Sequence, residues 1–417
     1  MHTRKFAVLI TLTFTLWIAI PVIAQTAPPT VTASFVTYPT KGAPFQALPI
    51  GSSVLVSTTA DNKKNSVTGI EIFTPTAAGT LRSTCALQLR AALLNEGAAV
   101  ANLNLYPNGT GVTAGIGAPG AIFYNLANLL GCSVTGFVVS QGPITPNQGT
   151  LDVVITPDGK YAFVSNEYGI AAGATTQGNI GVVALQYDAS GNVTTETTLL
   201  GQISTGGTAI AGMALSPDGT RLYVTTEIAA AGTPAHGGSN PVLARTGCVQ
   251  QPGSSSINGL LTVIDVAAAE TLPGPSAILT TVDSGCSPVR MAETADSSTL
   301  WVATRGDNRV LAFNPALLES DPDNALLGFA DSGGTAPVGL HLFHHDQLLA
   351  VANSNRFNTG VANATILYVA NPASASVVQT IPSGLFPREF TVGPDDSTLY
   401  LTNYESNTLE VISTTVN

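Results

Sequence analysis

The chain has 417 residues, of which 10% are charged and 44% hydrophobic, with 41 glycines, 26 prolines and a formal net charge of -11. Scattered Gly and Pro with so few charges exclude helical bundles and coiled coils, and the apolar content excludes global disorder. Past the first few residues no Lys/Arg cluster is present, so neither phosphate-neutralising nucleic-acid binding nor a basic lipid-binding surface is expected.

The N-terminus comes first in chain order. His2, Arg4 and Lys5 precede an uncharged apolar run from Phe6 to Ile20, and Pro21 is followed by Val22-Ile23-Ala24. This pattern reads as an export signal, residues 1–24, cleaved near Ala24-Gln25. The fifteen-residue run falls short of the ~20 residues that span a bilayer. No second apolar span follows, so the expected product is exported, with no integral membrane span after signal removal. Residues 25–417 are expected to form one domain.

After the signal the chain repeats itself. A degraded hairpin, Phe45 to Thr59, is followed by the strand-like Val67 to Phe73, and a second copy, Ala98 to Gly117, turns at Pro107-Asn108-Gly109. The clearest copy is Leu151 to Tyr168, LDVVITPDGKYAFVSNEY, where two alternating apolar runs flank Pro157-Asp158-Gly159. Alternation bounded by Pro, Asp and Gly reads as a β-hairpin, and Asp-Gly supplies the positive-φ positions of its turn. It recurs at Met213 to Glu227, at Val289 to Asn314 with Ala295-Asp296-Ser297, at Val338 to Phe357 with His344-His345-Asp346, and at Phe390 to Glu405 with Pro394-Asp395-Asp396. That makes seven copies.

Clear copies continue into a third strand, such as Asn179 to Asp188 or Asn407 to Ser413, and a fourth, such as Thr198 to Thr205 or Val377 to Pro382. Four antiparallel strands per unit of roughly 50 residues is the signature of a propeller blade. The expected fold is all-β, a seven-bladed β-propeller of four-stranded antiparallel blades. The last unit ends after its third strand, while Val31 to Thr37 is an unassigned extended stretch. That stretch is expected to supply the missing outermost strand and close the ring. Blade 4 carries an insertion, residues 228–258, and blade 5 an acidic stretch from Pro315 to Gly334 with Glu319, Asp321, Asp323 and Asp331.

Four cysteines are present, and an even count in an exported chain invites two disulfides. Cys85 with Cys132 and Cys248 with Cys286 is the favoured pairing, because each pair lies within neighbouring repeats.

Segments such as LYVTTE, LYLTNYESNTLEVI and AFVSNE, each after a P-D-G-like turn, resemble the YVTN repeat of exported bacterial propellers. Asn403-Tyr404 with Ser406-Asn407-Thr408 matches that pattern best, and Leu348 to Asn353 is also close. The resemblance covers most of the chain and implies a seven-bladed propeller. Similar propellers include sugar-lactone hydrolases and non-enzymatic surface or binding proteins.

In this strand order, loops after second strands share one face with the starts of inner strands. The mouth of the channel there is expected to gather Asn166, Glu167, Glu227, Arg305, Asn353, Asn355, Arg356, Asn403 and Glu405, joined by Arg290, His341, Arg388 and Glu389. Arginine offers a fork for a carboxylate or phosphate. No residue is assigned as catalytic, since no G-x-S-x-G elbow is present. No metal or cofactor is expected. His341, His344, His345 and Asp346 read as a solvated turn, and Asp321-Pro322-Asp323-Asn324 lacks the glycine and distal glutamate of a calcium loop. The sequence thus points to a monomeric binding or surface-interaction module, taking an unknown protein or a small polar ligand at the mouth. The alternative is a lactonase-like hydrolase using Glu167, Glu227, Arg290 or Arg388.

Overall fold

A computed structural model describes residues 27–59, 67–88, 100–116, 120–133, 136–139, 149–167, 177–244, 248–251, 254–256, 258–356 and 362–417. The export signal expected at 1–24 lies outside the described residues.

Seven four-stranded antiparallel sheets, each starting from an inner strand, form a seven-bladed propeller. The inner strands are Ala43–Ile50, Val100–Leu105, Thr150–Ile155, Gly207–Leu215, Pro288–Glu293, Pro337–Phe343 and Pro387–Val392, for blades 1 to 7. Blade 3 shows the local logic. Its first two strands meet at a turn where Gly159 takes φ 74°, and the Asp158 carboxylate accepts from the Thr156 hydroxyl at 2.7 Å and the Lys160 amide at 3.0 Å. In blades 5 and 7 the same left-handed turn position falls to Ser297 and Asp396.

One small sheet cannot bury both its faces, so the blades stack on one another. Phe163, Ile180 and Val182 of blade 3 pack on Leu222, Val224 and Ile264 of blade 4. At about 25 cal/mol per Å² of apolar surface removed from water, these interfaces are the main stabilising term. Aspartates latch the turn face as well: Asp346 accepts from the Ala295 amide at 2.6 Å, and Asp396 from the amides of His344 and His345 at 2.9 and 2.7 Å.

The ring closes as the sequence predicts. Val31–Pro39 pairs antiparallel with Thr408–Val416, from Val31 opposite Val416 to Pro39 opposite Thr408, and completes blade 7 as its outermost strand. Both disulfides form in the favoured pairing, Cys85–Cys132 across blades 1 and 2 and Cys248–Cys286 at the blade 4–5 boundary.

The 228–258 insertion, in its described part, lies along the outside of blade 4. His236 pairs with Val282 on the edge of the outer strand, covering unpaired backbone groups there, and Leu243 is fully buried against blades 4 and 5. The acidic stretch of blade 5 comprises a short helix, Pro315–Ser320, and the outer strand Leu326–Asp331. Its acids serve as anchors: Glu319 accepts Arg221 at 2.6 and 3.1 Å, and Asp323 accepts the Gly237 amide at 2.8 Å.

Candidate functional site at the channel mouth

Every inner strand carries a β-bulge near its start. The register breaks between Pro44 and Ala47, Val100 and Leu103, Thr150 and Val153, Ile210 and Gly212, Pro288 and Met291, Pro337 and Leu340, and Pro387 and Glu389. A bulge sets an extra residue into one strand, bends it and re-aims side chains. Here it places two consecutive residues of blades 1 and 3 to 7 at the channel, forming two stacked tiers, with Asn102 of blade 2 in the lower one.

The upper tier is mostly apolar. Leu151, Ala211, Val289 and Val338, one from each of blades 3 to 6, form a smooth crescent, while blades 7 and 1 contribute Arg388 and Phe45. The lower tier is Gln46, Asn102, Asp152, Gly212, Arg290, Gly339 and Glu389. Its polar members tie the ring together. Gln46 accepts the Leu103 amide of blade 2 at 2.6 Å, and Asp152 accepts the Met213 amide of blade 4 at 3.3 Å. Arg290 reaches Glu389 at 2.8 Å through Nε and Asn102, on the far side of the channel, at 3.2 Å through Nη2.

The two glycines of this tier are required by close approach. A Cβ at Gly339 would lie 2.4 Å from the Arg388 carbonyl and 3.0 Å from Glu389 Oε1, blocking the path by which Glu389 passes blade 6 to meet Arg290. A Cβ at Gly212 would lie 2.3 Å from the Val289 carbonyl. Burial raises the pKa values of Asp152 and Glu389, and Arg290 opposes it in both. Burial likewise works against the Arg290 charge, but Glu389 and Asp152 outweigh it and hold the guanidinium protonated. This lower tier is a buried, hydrogen-bonded floor.

Above the floor opens a cavity of about 320 Å³. Arg388 stands on its wall within a box of rings: its guanidinium carbon is 3.7 Å from the Phe45 centroid, 5.4 Å from Tyr404 and 5.7 Å from Phe386. Its Nε is withdrawn from solvent and has no hydrogen-bond partner among the described residues. Burial, with repulsion from Arg290, shifts Arg388 downward, but a guanidinium starts high enough to stay charged at physiological pH.

Phe386 takes φ 52°, in the left-handed region. The residue before the inner strand is left-handed in several blades, as Gly149, Ser287 and Ala336. Blade 7 puts a bulky aromatic at this costly position, and its ring lands beside Arg388.

Residues after the second strands form the rim. Amides of Glu167, Arg305, Ser354 and Tyr404 donate to the carbonyls of those left-handed residues at 2.8 to 3.0 Å, which fixes them as equivalents. Glu227 and Arg305 are ion-paired and buried. Glu167 borders the cavity, its carboxylate against Gly149. Burial first, and Glu227 second, push its pKa up to about 7 against the pull of Arg388, Arg356 and Arg290. Arg356 also lines the cavity, 5.9 Å from the Phe386 ring.

Of the sequence-predicted residues, the structure therefore brings Glu167, Glu227, Arg290, Arg305, Arg356, Arg388 and Glu389 around one funnel. It does not bring Asn166, Asn353 or Asn403 there. Asn166, Asn353 and Asn403 are fully buried within their blades, bonded to Thr150 and Asn179, to Ser332 and Thr365, and to Glu410 and Thr408. His341 turns its Nδ1 to the Leu342 carbonyl at 2.8 Å, and His344 and His345 stack in the turn on the opposite face. Among the described residues, no group of three or more His, Cys, Asp or Glu is arranged to hold a metal ion. The residues around the funnel that sequence reasoning missed are Phe45, Phe386, Tyr404 and the lower-tier Gln46, Asn102 and Asp152. A repeated Pro-x-x triplet opening an apolar run, as in Pro44-Phe45-Gln46 and Pro387-Arg388-Glu389, could have found Phe45 and Gln46; Asn102, Asp152, Phe386 and Tyr404 lie outside any such triplet.

No protein-family model matches the chain, and no curated protein does. Solved structures are similar in fold. A chain in the crystal structure of a mitotic checkpoint complex shares 12% identity over 99% of both chains, with a TM-score of 0.58. Hydrazine synthase from Kuenenia stuttgartiensis shares 16% identity over 90% of this chain and 96% of that one, at 0.57. The β-propeller domain of Cps50 (Swd1) from Myceliophteria thermophila shares 10% identity over 91% and 99%, also at 0.57. At such identities the likeness shows the propeller fold alone.

Proposed function

We propose that the protein is an exported binding module of the YVTN-repeat type that holds a small, negatively charged polar ligand in the funnel at its mouth. The observation that carries this reading is Arg388, a guanidinium without a hydrogen-bonded carboxylate among the described residues, boxed by three rings on the cavity wall. Charges drawn partly or wholly out of water are normally paired. Arg290 and Arg305 obey that rule through Glu389 and Glu227, whereas Arg388 is left to be neutralised by an incoming group. The two disulfides support export, because such bonds persist in oxidising compartments. The signal-like residues 1–24, ahead of one propeller domain, support it too.

The test is equilibrium binding of a panel of anions and neutral sugars to the protein and to Arg388→Gln. An anion that binds the parent and is lost in the variant supports the reading, and a panel that binds neither protein overturns it. Hydrolysis of sugar and acyl lactones, measured on the parent and on Glu167→Gln, checks the alternative chemistry. Turnover lost in that variant would replace the binding reading with a hydrolase.

A further inference from the structure

We infer that the ligand of the funnel is a small monocarboxylic acid with an apolar body, its carboxylate on the edge of Arg388 and its body on the crescent of blades 3 to 6. This rests on the binding reading above and narrows it.

Three features of the cavity carry the argument. The first is the way Arg388 is held. With Phe45 against its face at 3.7 Å and Tyr404 and Phe386 around it, the guanidinium has only its edge left for an acceptor. That edge matches two coplanar oxygens. The second is the opposite wall, where Leu151, Ala211, Val289 and Val338 present carbon. A wholly polar ligand such as a free sugar would lose its hydration there without replacement. The volume of about 320 Å³ is at the small end for ligand sites, so one compact molecule must touch both walls.

The third is the charge already present. Four carboxylates (Asp152, Glu167, Glu227, Glu389) and four guanidiniums (Arg290, Arg305, Arg356, Arg388) surround the funnel. A dianion such as phosphate would enter beside Glu167 and Glu227, which face it from blades 3 and 4. A single negative charge fits that field far better. Burial and Glu227 raise the Glu167 pKa to about 7, so this wall already resists a further negative charge. The groups facing Glu167 are Glu227, Arg388, Arg356 and Arg290.

Titration calorimetry with benzoate as the probe tests the inference, with benzamide, benzylamine and inorganic phosphate as comparators. One benzoate per protein is expected to bind, with affinity at least tenfold weaker in Arg388→Gln and partly kept in Arg388→Lys. Benzamide and benzylamine are expected not to bind. Leu151→Ala, which only trims the apolar crescent, is expected to weaken benzoate several-fold while leaving Arg388 in place. Thermal unfolding of each variant confirms that the fold is retained. Phosphate binding that depends on Arg388, without benzoate binding, overturns the inference and leaves the anion-binding reading standing. Benzoate binding that survives Arg388→Gln, or that equals benzamide binding, also overturns it. No response to any probe, in a folded protein, overturns both.

Discussion

Replacing Glu167 by Gln gives a direct measure of how strongly the funnel disfavours a second negative charge. The Glu167 carboxyl has its pKa raised from 4.5 to about 7, by burial first and by Glu227 second. A displacement of that size is worth about 3 kcal/mol at most. Because the carboxyl keeps partial contact with solvent on the cavity wall, about 2 kcal/mol is expected. The sign follows from which state holds the proton. Between pH 4.5 and about 7 the folded protein binds a proton that the unfolded chain has released, so stability declines as pH rises through that window and levels off above it. Glu167→Gln cannot ionise and escapes this decline. Urea unfolding of both proteins at pH 4, 6 and 8 should show equal stability at pH 4 and the variant about 2 kcal/mol more stable at pH 8. Asp152 and Glu389 also carry raised pKa values, but they are common to both proteins and cancel in the difference. A difference that does not change with pH, or a parent that is the more stable at pH 8, would refute the reasoning.

Removing one partner of the floor leaves a buried charge alone, so Arg290→Met and Glu389→Gln should each cost about 3–5 kcal/mol in chemical denaturation. The double variant should cost clearly less than their sum, because both destroy one interaction. Gly339→Ala, which obstructs the route of Glu389 past blade 6, should cost about 1–3 kcal/mol with the charges still present. Converting Cys85 and Cys132 together to Ala opens a loop of 47 residues and should lower stability by about 4 kcal/mol. Reducing agent should have little further effect on that variant at the blade 1–2 boundary, as read by proteolysis.

The architecture was legible because a propeller is written as local pattern. The Pro157-Asp158-Gly159 turn, the alternating strands either side of it and the incomplete last unit each have one physical meaning, and together they specify blades and closure. The site was only half legible. Counting forward from the turns does arrive at the rim, and Glu167, Glu227 and Arg305 are found that way. The same counting selects Asn166, Asn353 and Asn403, whose side chains turn inward to bond within their own blades. The deeper residues escaped because strict alternation assigns each side chain to a face by parity, and a bulge breaks parity. Leu151 and Asp152 both reach the channel region for that reason. Arg290 and Glu389 were found by residue type, but their union with Asn102 joins positions that the sequence keeps 188 apart.

The pairing of Val31–Pro39 with Thr408–Val416 also has a meaning in time. Of the strands of the ring, the earliest in the chain must wait, unpartnered, for the latest. Until then blade 7 lacks its outermost strand, and Phe35 and Val36, which stay 42% and 51% exposed even in the finished ring, have no backbone partner. Closure is thus a long-range step, of the kind that is slow and exposes an edge to aggregation. A circular permutant with Val416 linked back to Val31 and new ends within the 228–258 insertion would turn that longest-range pairing into a local hairpin. Such a permutant should finish folding sooner than the natural chain while keeping the same ring.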